Sequence, residues 1–260
     1  MRNLISKIFG AVAAFKFISP LQNFINGWYV RHFEINLEGF KELNEYKSLN
    51  ELFTRSYITT PTIKAEQNEL IAPCDGLCFD VGSSKDGVAF SIKNRTYSLS
   101  DLFLDEIKEE FDYLNIYLSP KDYHHYHAPF DLEVLWSSYI PADLYSVSKK
   151  ALLKVDNLYA KNERVILKCR LKNQKELYLV FVGALNVGKM NFDFDSRIKT
   201  NASKGKATYN YNGIFLKRGE HIGNFELGST ILIVAKRGVL EFGLKNGDLL
   251  KFPKPIAKVL

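Results

Sequence analysis

What this chain lacks already removes several explanations for it. Its cysteines are only Cys74, Cys78 and Cys169. So sparse and odd a set makes no disulfide framework and points to a reducing compartment. Cys74 and Cys78 have no second pair to complete a four-cysteine zinc site, so no structural metal is expected there. The apolar run from Ile8 to Phe15 falls well short of the ~20 residues a bilayer-spanning helix needs. It is also thin for a secretory leader, because Lys16 interrupts it. No glycine-rich dinucleotide or phosphate loop, internal repeat or low-complexity tract is present. Nor is there a concentrated tract of one charge. The net charge of +6 is spread along the chain, so it favours an anionic partner without choosing between a membrane surface and nucleic acid.

What remains is enough for a full core: 260 residues, 46% of them hydrophobic. The first 60 residues read as helical. Ile5, Ile8, Phe9, Val12 and Phe15 recur at helical spacing among Arg2, Lys7 and Lys16, a pattern suited to lying at a lipid interface. After Pro20, Leu21, Phe24, Ile25, Trp28 and His32 share a second helical face. Ser48 and Glu51 have capping-box spacing for a short helix through Leu52 and Phe53.

From about Ile63 the texture changes to short β-rich runs. Strands are predicted at Leu77–Val81, Val88–Ile92, Tyr113–Leu118, Leu132–Ser137, Arg164–Leu171, Glu176–Val182, Ile231–Val234 and Val239–Phe242. Turns are predicted at Lys85-Asp86-Gly87, Lys172-Asn173-Gln174 and Lys245-Asn246-Gly247-Asp248, and a helix over Leu102–Phe111. The fold class expected is α+β: a mainly antiparallel, barrel- or sandwich-like domain over 61–260 behind N-terminal amphipathic helices over 1–60.

Two stretches carry chemistry. Phe225-Glu226-Leu227-Gly228-Ser229-Thr230 sits at the mouth of the apolar run Ile231-Leu232-Ile233-Val234. Glycine leaves its own carbonyl sterically open, so the Ser229 hydroxyl is placed to attack the Gly228 carbonyl if a base is near. From that stretch alone an ordinary turn before a strand is the plainer reading. The second stretch, Tyr117-Leu118-Ser119-Pro120-Lys121-Asp122-Tyr123-His124-His125-Tyr126-His127, holds three of the five histidines. Helical winding would bring His124 and His127 to one face and extension would turn them apart. A metal site built on this run finds no glutamate partner or HExxH pattern.

Together these stretches resemble the phosphatidylserine decarboxylases, self-cleaving enzymes that use a pyruvoyl group. Glu51-Leu52-Phe53-Thr54-Arg55, Ala72-Pro73-Cys74-Asp75-Gly76, Val182-Gly183-Ala184-Leu185-Asn186-Val187-Gly188 and Lys217-Arg218-Gly219-Glu220 match that family in order and approximate spacing, from about Ile25 to Lys236. The resemblance implies cleavage between Gly228 and Ser229 into chains 1–228 and 229–260. It implies Asp75, His127 and Ser229 as the self-cleavage triad, with His127 as base and Asp75 orienting it, and His124 as proton donor in decarboxylation. It further implies a pyruvoyl cofactor made from Ser229 that takes phosphatidylserine as a Schiff base, releases CO2 and yields phosphatidylethanolamine. No metal and no nucleic acid are expected. The implied partners are an anionic membrane surface and a second copy of the chain, and the implied place is the cytoplasmic side of the cell membrane, peripherally bound. His125 stands where the family commonly has arginine, and His221 where it has an acidic residue. Arg55, Lys121, Lys217 and Arg218 are candidate phosphate partners, each with a solvated surface charge as the plainer reading. Two other functions stay open: a hydrolase with Ser229, His127 and Asp75 as a lasting triad, and a lipid-binding module without catalysis.

Overall fold

The computed structural model describes residues 10–85, 88–92, 95–148, 151, 154–185, 189–201, 205–226 and 229–260. Leu4, Ile5, Ile8 and Phe9 of the first expected helix, the Asp86-Gly87 turn, residues 186–188 and Gly228 lie outside them.

Helices come first. α1 (Ser19–Phe33) carries proline in its first turn and ends at Glu34, whose φ of 53° stops it. Its inward side is polar and small: Gln22, Asn26 and Gly27 are buried along with Tyr29. Gln22 Nε2 donates to Asn26 Oδ1, and Asn26 Nδ2 donates to the Tyr46 carbonyl, at 2.8 and 2.9 Å. Leu21, Phe24 and Trp28 face outward instead. α2 (Leu49–Phe53) starts as the capping-box spacing predicts, with Ser48 Oγ accepting the Glu51 N–H at 3.1 Å. Leu52 and Phe53 pack with Ala13, Tyr29, Ile35 and Tyr46 in a core of their own.

The strands follow in chain order. They are β1 (Glu69–Ile71), β2 (Gly76–Ser83), β3 (Val88–Ile92), β4 (Arg95–Ser98), β5 (Phe111–Leu118), β6 (His125–His127), β7 (Leu132–Ile140) and β8 (Arg164–Leu171). The remainder are β9 (Glu176–Gly183), β10 (Met190–Phe192), β11 (Ala207–Leu216), β12 (His221–Phe225), β13 (Ser229–Lys236), β14 (Leu240–Phe242), β15 (Leu249–Leu250) and β16 (Pro255–Val259). Eight make one antiparallel sheet in the order β11-β7-β8-β9-β13-β5-β2-β15. Three small sheets accompany it: β1-β16-β14, β10-β12-β6 and β3-β4. Among the described residues the large sheet is open, with β11 and β15 at its edges, and no closed barrel forms.

β13 shows why the sheet is stable. It is buried over its first seven residues, and successive side chains enter opposite faces. Ile231, Ile233 and Ala235 pack into one core with the small sheets. Leu232 and Val234 pack into another, with Leu99, Leu102, Leu158 and Tyr159. Such a strand reads as a continuous apolar run because both of its faces are covered.

The helix expected over Leu102–Phe111 is corrected. α3 runs only Leu99–Phe103, capped by Ser98 and ended by Leu104 at φ 54°, and Phe111 opens β5. Apolar residues at mixed spacing there belong to two elements, so the period misleads.

Candidate active site

The register of the large sheet brings distant residues to one level. Ser229 opens β13 opposite Leu118, the last residue of β5, and opposite Gly183, the last of β9. On the other side of β5, Leu77 pairs with Tyr117 and Gly76 with Leu250. Asp75 and Ser229 therefore flank the same end of β5, two strand spacings apart at ~4.8 Å each. Position 76 must be glycine for this: a Cβ there would sit 2.7 Å from Ile116 Cγ2 and 2.8 Å from the Tyr117 carbonyl.

Ser229 is fully buried, and its Oγ has no hydrogen-bond partner among the described residues. A buried hydroxyl left unpaired costs about 1–3 kcal/mol, so it calls for an explanation.

The loop after β5 is gripped by four consecutive residues of the N-terminal region. The Phe53 ring lies 3.8 Å from the His124 ring. The Thr54 carbonyl meets His125 Nε2 at 2.9 Å, and Ser56 Oγ reaches the same nitrogen at 3.3 Å. Arg55 Nη2 donates to the carbonyls of Lys121 and Asp122, at 2.6 and 3.1 Å. Asp122 itself braces the loop by accepting the Ser119 N–H and hydroxyl, at 2.7 and 2.6 Å.

His124 is wholly buried. Its Nδ1 is 2.8 Å from the Asp122 carbonyl, which can only accept, so Nδ1 carries the proton and Nε2 is bare. Nε2 has no partner among the described residues. Burial first, and the Arg55 charge second, hold this imidazole neutral by pushing its pKa well below the ordinary value.

The strand β6 settles the question the sequence left open, because the segment is extended. Tyr126 turns into the core against Phe181 and Phe225. His125 and His127 stack on Tyr123, with ring centroids 5.1 and 5.8 Å away. His127 Nδ1 meets the Gly219 carbonyl at 2.9 Å, so it donates there, and the Tyr123 hydroxyl donates to Nε2 at 3.0 Å. Burial pushes His127 down to about 3. Gly219 has φ 84°, and a Cβ on it would strike Ile63 Cδ1, so its carbonyl is delivered by a turn that suits only glycine.

Asp75 makes no hydrogen bond to His127. Its Oδ1 accepts the Phe252 N–H at 2.9 Å and its Oδ2 accepts Lys251 Nζ at 2.6 Å. Burial raises its pKa and Lys251 opposes that rise. The link to His127 runs through Phe252, whose ring stacks on the imidazole at 4.0 Å.

Tyr123, Lys251 and Phe252 are not singled out by sequence reasoning, and Gly219 enters it only as one letter of the Lys217-Arg218-Gly219-Glu220 block. Tyr123 was within reach of it, since positions 123, 125 and 127 share one face of an extended chain. Nothing local marks Lys251 or Phe252, because they arrive by the pairing of β15 with β2.

Beside Asp75 lies a cavity of about 360 Å³ lined by Arg55, Tyr57, Lys121, Lys251 and Phe40, among others. Arg55 is 3% exposed, and its Nε and Nη1 have no partner among the described residues. Of the other candidate phosphate partners, Arg218 is spent on the carbonyls of Glu66 and Glu69 in a separate cavity. Lys217 is exposed and lines a third. Among the described residues no group of three or more His, Cys, Asp or Glu is arranged to hold a metal ion.

Comparison with known proteins agrees with the motif blocks. The family model described as phosphatidylserine decarboxylase matches residues 49–258. A phosphatidylserine decarboxylase proenzyme of Campylobacter jejuni is 47% identical over 263 residues, covering 97% of this chain and 97% of that protein. The proenzyme of the same name from Helicobacter pylori is 45% identical over 256 residues, covering 95% and 96%. That of Francisella philomiragia is 32% identical over 231 residues, covering 85% and 82%.

Proposed function

The chain belongs to the phosphatidylserine decarboxylase family, and on that premise we propose that it converts phosphatidylserine to phosphatidylethanolamine and CO2 after cutting itself ahead of Ser229. The observation that carries the self-cleavage is the buried Ser229 hydroxyl, without a hydrogen-bond partner among the described residues, at the mouth of a central strand. A hydroxyl with no structural bond to keep is free to attack the preceding carbonyl. Residue 229 thus fits a pyruvoyl group. Such a carbonyl group supplies a sink for the electrons left on the α-carbon when CO2 departs.

The chain's own residues take the remaining roles. His127 serves as base for Ser229: its donation to Gly219 fixes the tautomer that leaves Nε2 basic. Tyr123 holds that nitrogen until the proton is taken. Asp75 positions His127 through the Phe252 backbone and ring. His124 presents a bare Nε2 to the interior, takes up a proton there from water, and returns it to the α-carbon once CO2 has left. An anionic headgroup beside Arg55 offsets the repulsion that Arg55 exerts on a protonated His124. Substrate thereby raises the proton affinity of the group that must deliver the proton. The cavity at Arg55, Lys121 and Lys251 receives the headgroup's oxyanions.

Lipid chains stay in the bilayer in this reading, since extracting each methylene costs ~0.8 kcal/mol. The outward Leu21, Phe24 and Trp28 support an interfacial seat for α1. No helix among the described residues is long and apolar enough to cross a membrane.

Intact mass and a denaturing gel test the proposal. Active protein should run as chains 1–228 and 229–260, the smaller blocked by a ketone, and Ser229→Ala should give one inactive full-length band. Active material with an unmodified serine at 229 overturns it.

A further inference from the structure

A chain of two imidazoles joins the N-terminal region to the strands of the candidate active site. His125 Nε2 meets the Thr54 carbonyl at 2.9 Å, His125 Nδ1 meets His221 Nε2 at 2.7 Å, and His221 Nδ1 meets Asp193 Oδ2 at 2.6 Å. Both ends of this chain are oxygens that only accept, a carbonyl and a carboxylate. Each end contact therefore needs a proton on the ring nitrogen facing it, and the nitrogen–nitrogen contact between the rings needs one more. That makes three protons on two imidazoles, one more than a neutral pair holds.

We infer that His221 carries a full positive charge, held between Asp193 and a neutral His125, and that this charged pair is the positioning device that seats α2 on the catalytic loop. His125 is the neutral member because burial weighs against a charge on it, while His221 sits beside the Asp193 carboxylate at the surface. In that arrangement His221 donates from both nitrogens and His125 donates only to Thr54. The ring of His127 lies 5.2 Å from His221, and Tyr123 is stacked on His125. Arg55 is the other charge that His125 feels, and Ser56 the other hydroxyl within reach.

The consequence concerns residues 53–56. Thr54 lies between Phe53, which packs on His124, and Arg55, which holds the carbonyls of Lys121 and Asp122. When the pair gives up its third proton, one of the three bonds must open: that of His125 to Thr54, that between the two rings, or that of His221 to Asp193. His125 and His221 are thus positioning residues for the proton donor His124, a statement that rests on the function proposed above. The arrangement adds an alkaline limit: all three bonds are made with the proton bound, and one of them opens as pH rises.

The test uses two readouts. Nitrogen-15 NMR of the Ser229→Ala protein reads the protonation directly and needs no activity. It should show both His221 ring nitrogens protonated at neutral pH, with His125 protonated on Nε2 alone. A His221 with one bare nitrogen overturns the inference. In processed enzyme, His221→Lys keeps a charge that donates to both neighbours and should move the alkaline limb of the turnover–pH profile to higher pH. His221→Gln removes the charge and should lower turnover about tenfold or more, with that limb gone. A His221→Lys profile that coincides with the parent's also overturns it. If Ser229→Ala protein decarboxylates substrate, the proposed function fails while the NMR result still decides the charged pair.

Discussion

His127 lies face to face with Phe252, ring centroids 4.0 Å apart, and the backbone N–H of Phe252 is held by Asp75. The acidic residue thus reaches the imidazole through a neighbour, while the carbonyl of Gly219 fixes the tautomer. Two substitutions at position 75 should therefore separate. Asp75→Asn keeps an acceptor for the Phe252 N–H and should retain slow self-cleavage. Asp75→Ala leaves that buried donor unpaired, at a cost of about 1–3 kcal/mol, and should abolish cleavage. Denaturant unfolding in the Ser229→Ala background, which is uncleaved on this reading, measures the stability loss free of processing. Equal effects of the two substitutions would mean that Asp75 acts by charge alone.

Cleavage ahead of residue 229 should not release the smaller chain. β13 is paired over its whole length with β5 and over seven residues with β9, and β16 closes on β1. Its buried side chains fill both cores. The two chains should co-elute in native size exclusion and separate only on denaturation. Replacing Ile233 with Asp puts an unpaired charge into a fully buried site and should prevent their co-elution.

Acid stability should be set by buried imidazoles. Burial pushes His127 to about 3 and His125 to about 4, from 6.5, and His124 well below. Because the folded values lie below the unfolded one, the unfolded chain binds more protons as pH falls from 6.5 toward 3. Stability is then complete above that window and lost on descending through it. Urea midpoints of the Ser229→Ala protein, followed by tryptophan fluorescence, should drop between pH 6.5 and 4. His127→Gln in that background should make the dependence shallower, and an unchanged slope would remove His127 from the account.

The legible parts of this molecule are those whose signals are local. Arg164–Leu171 and Glu176–Gly183 show as apolar runs around an Asn-Gln turn with Gln174 at φ 63°. The Ser48 cap is visible in four letters. Strands such as β11, β12 and β16 escape a sequence reading because their exposed or short stretches lack an apolar signature and form only where a partner strand supplies bonds. The same holds at the site. His124, His127, Asp75, Ser229 and Gly219 sit in motif blocks, but what holds Asp75 depends on Phe252 and Lys251, placed by sheet register that no local pattern encodes. Phe252, which bonds Asp75 through its backbone N–H and stacks on His127 through its ring, is one such placement.

In α1 the burial is inverted for a helix facing water. Phe24 and Trp28 are 66% and 51% exposed while Asn26 is fully buried and donates to the Tyr46 carbonyl. If water were the only neighbour, the aromatic residues would gain nothing outside and the polar ones would cost on burial. The proposed interfacial seat would account for the outward rings, and the hydrogen bonds account for the inward amides. Substitutions on the two sides should therefore dissociate. Phe24→Ser and Trp28→Ser should each lower binding to anionic vesicles roughly tenfold or more, from a burial worth ~1.5–3 kcal/mol per large side chain, with little change in unfolding midpoint. Asn26→Leu should do the reverse, leaving Tyr46 without its donor and lowering stability while vesicle binding persists. Co-sedimentation and thermal unfolding read the two effects. Loss of vesicle binding only in the Asn26 variant would mean that the outward apolar face is not what meets the lipid.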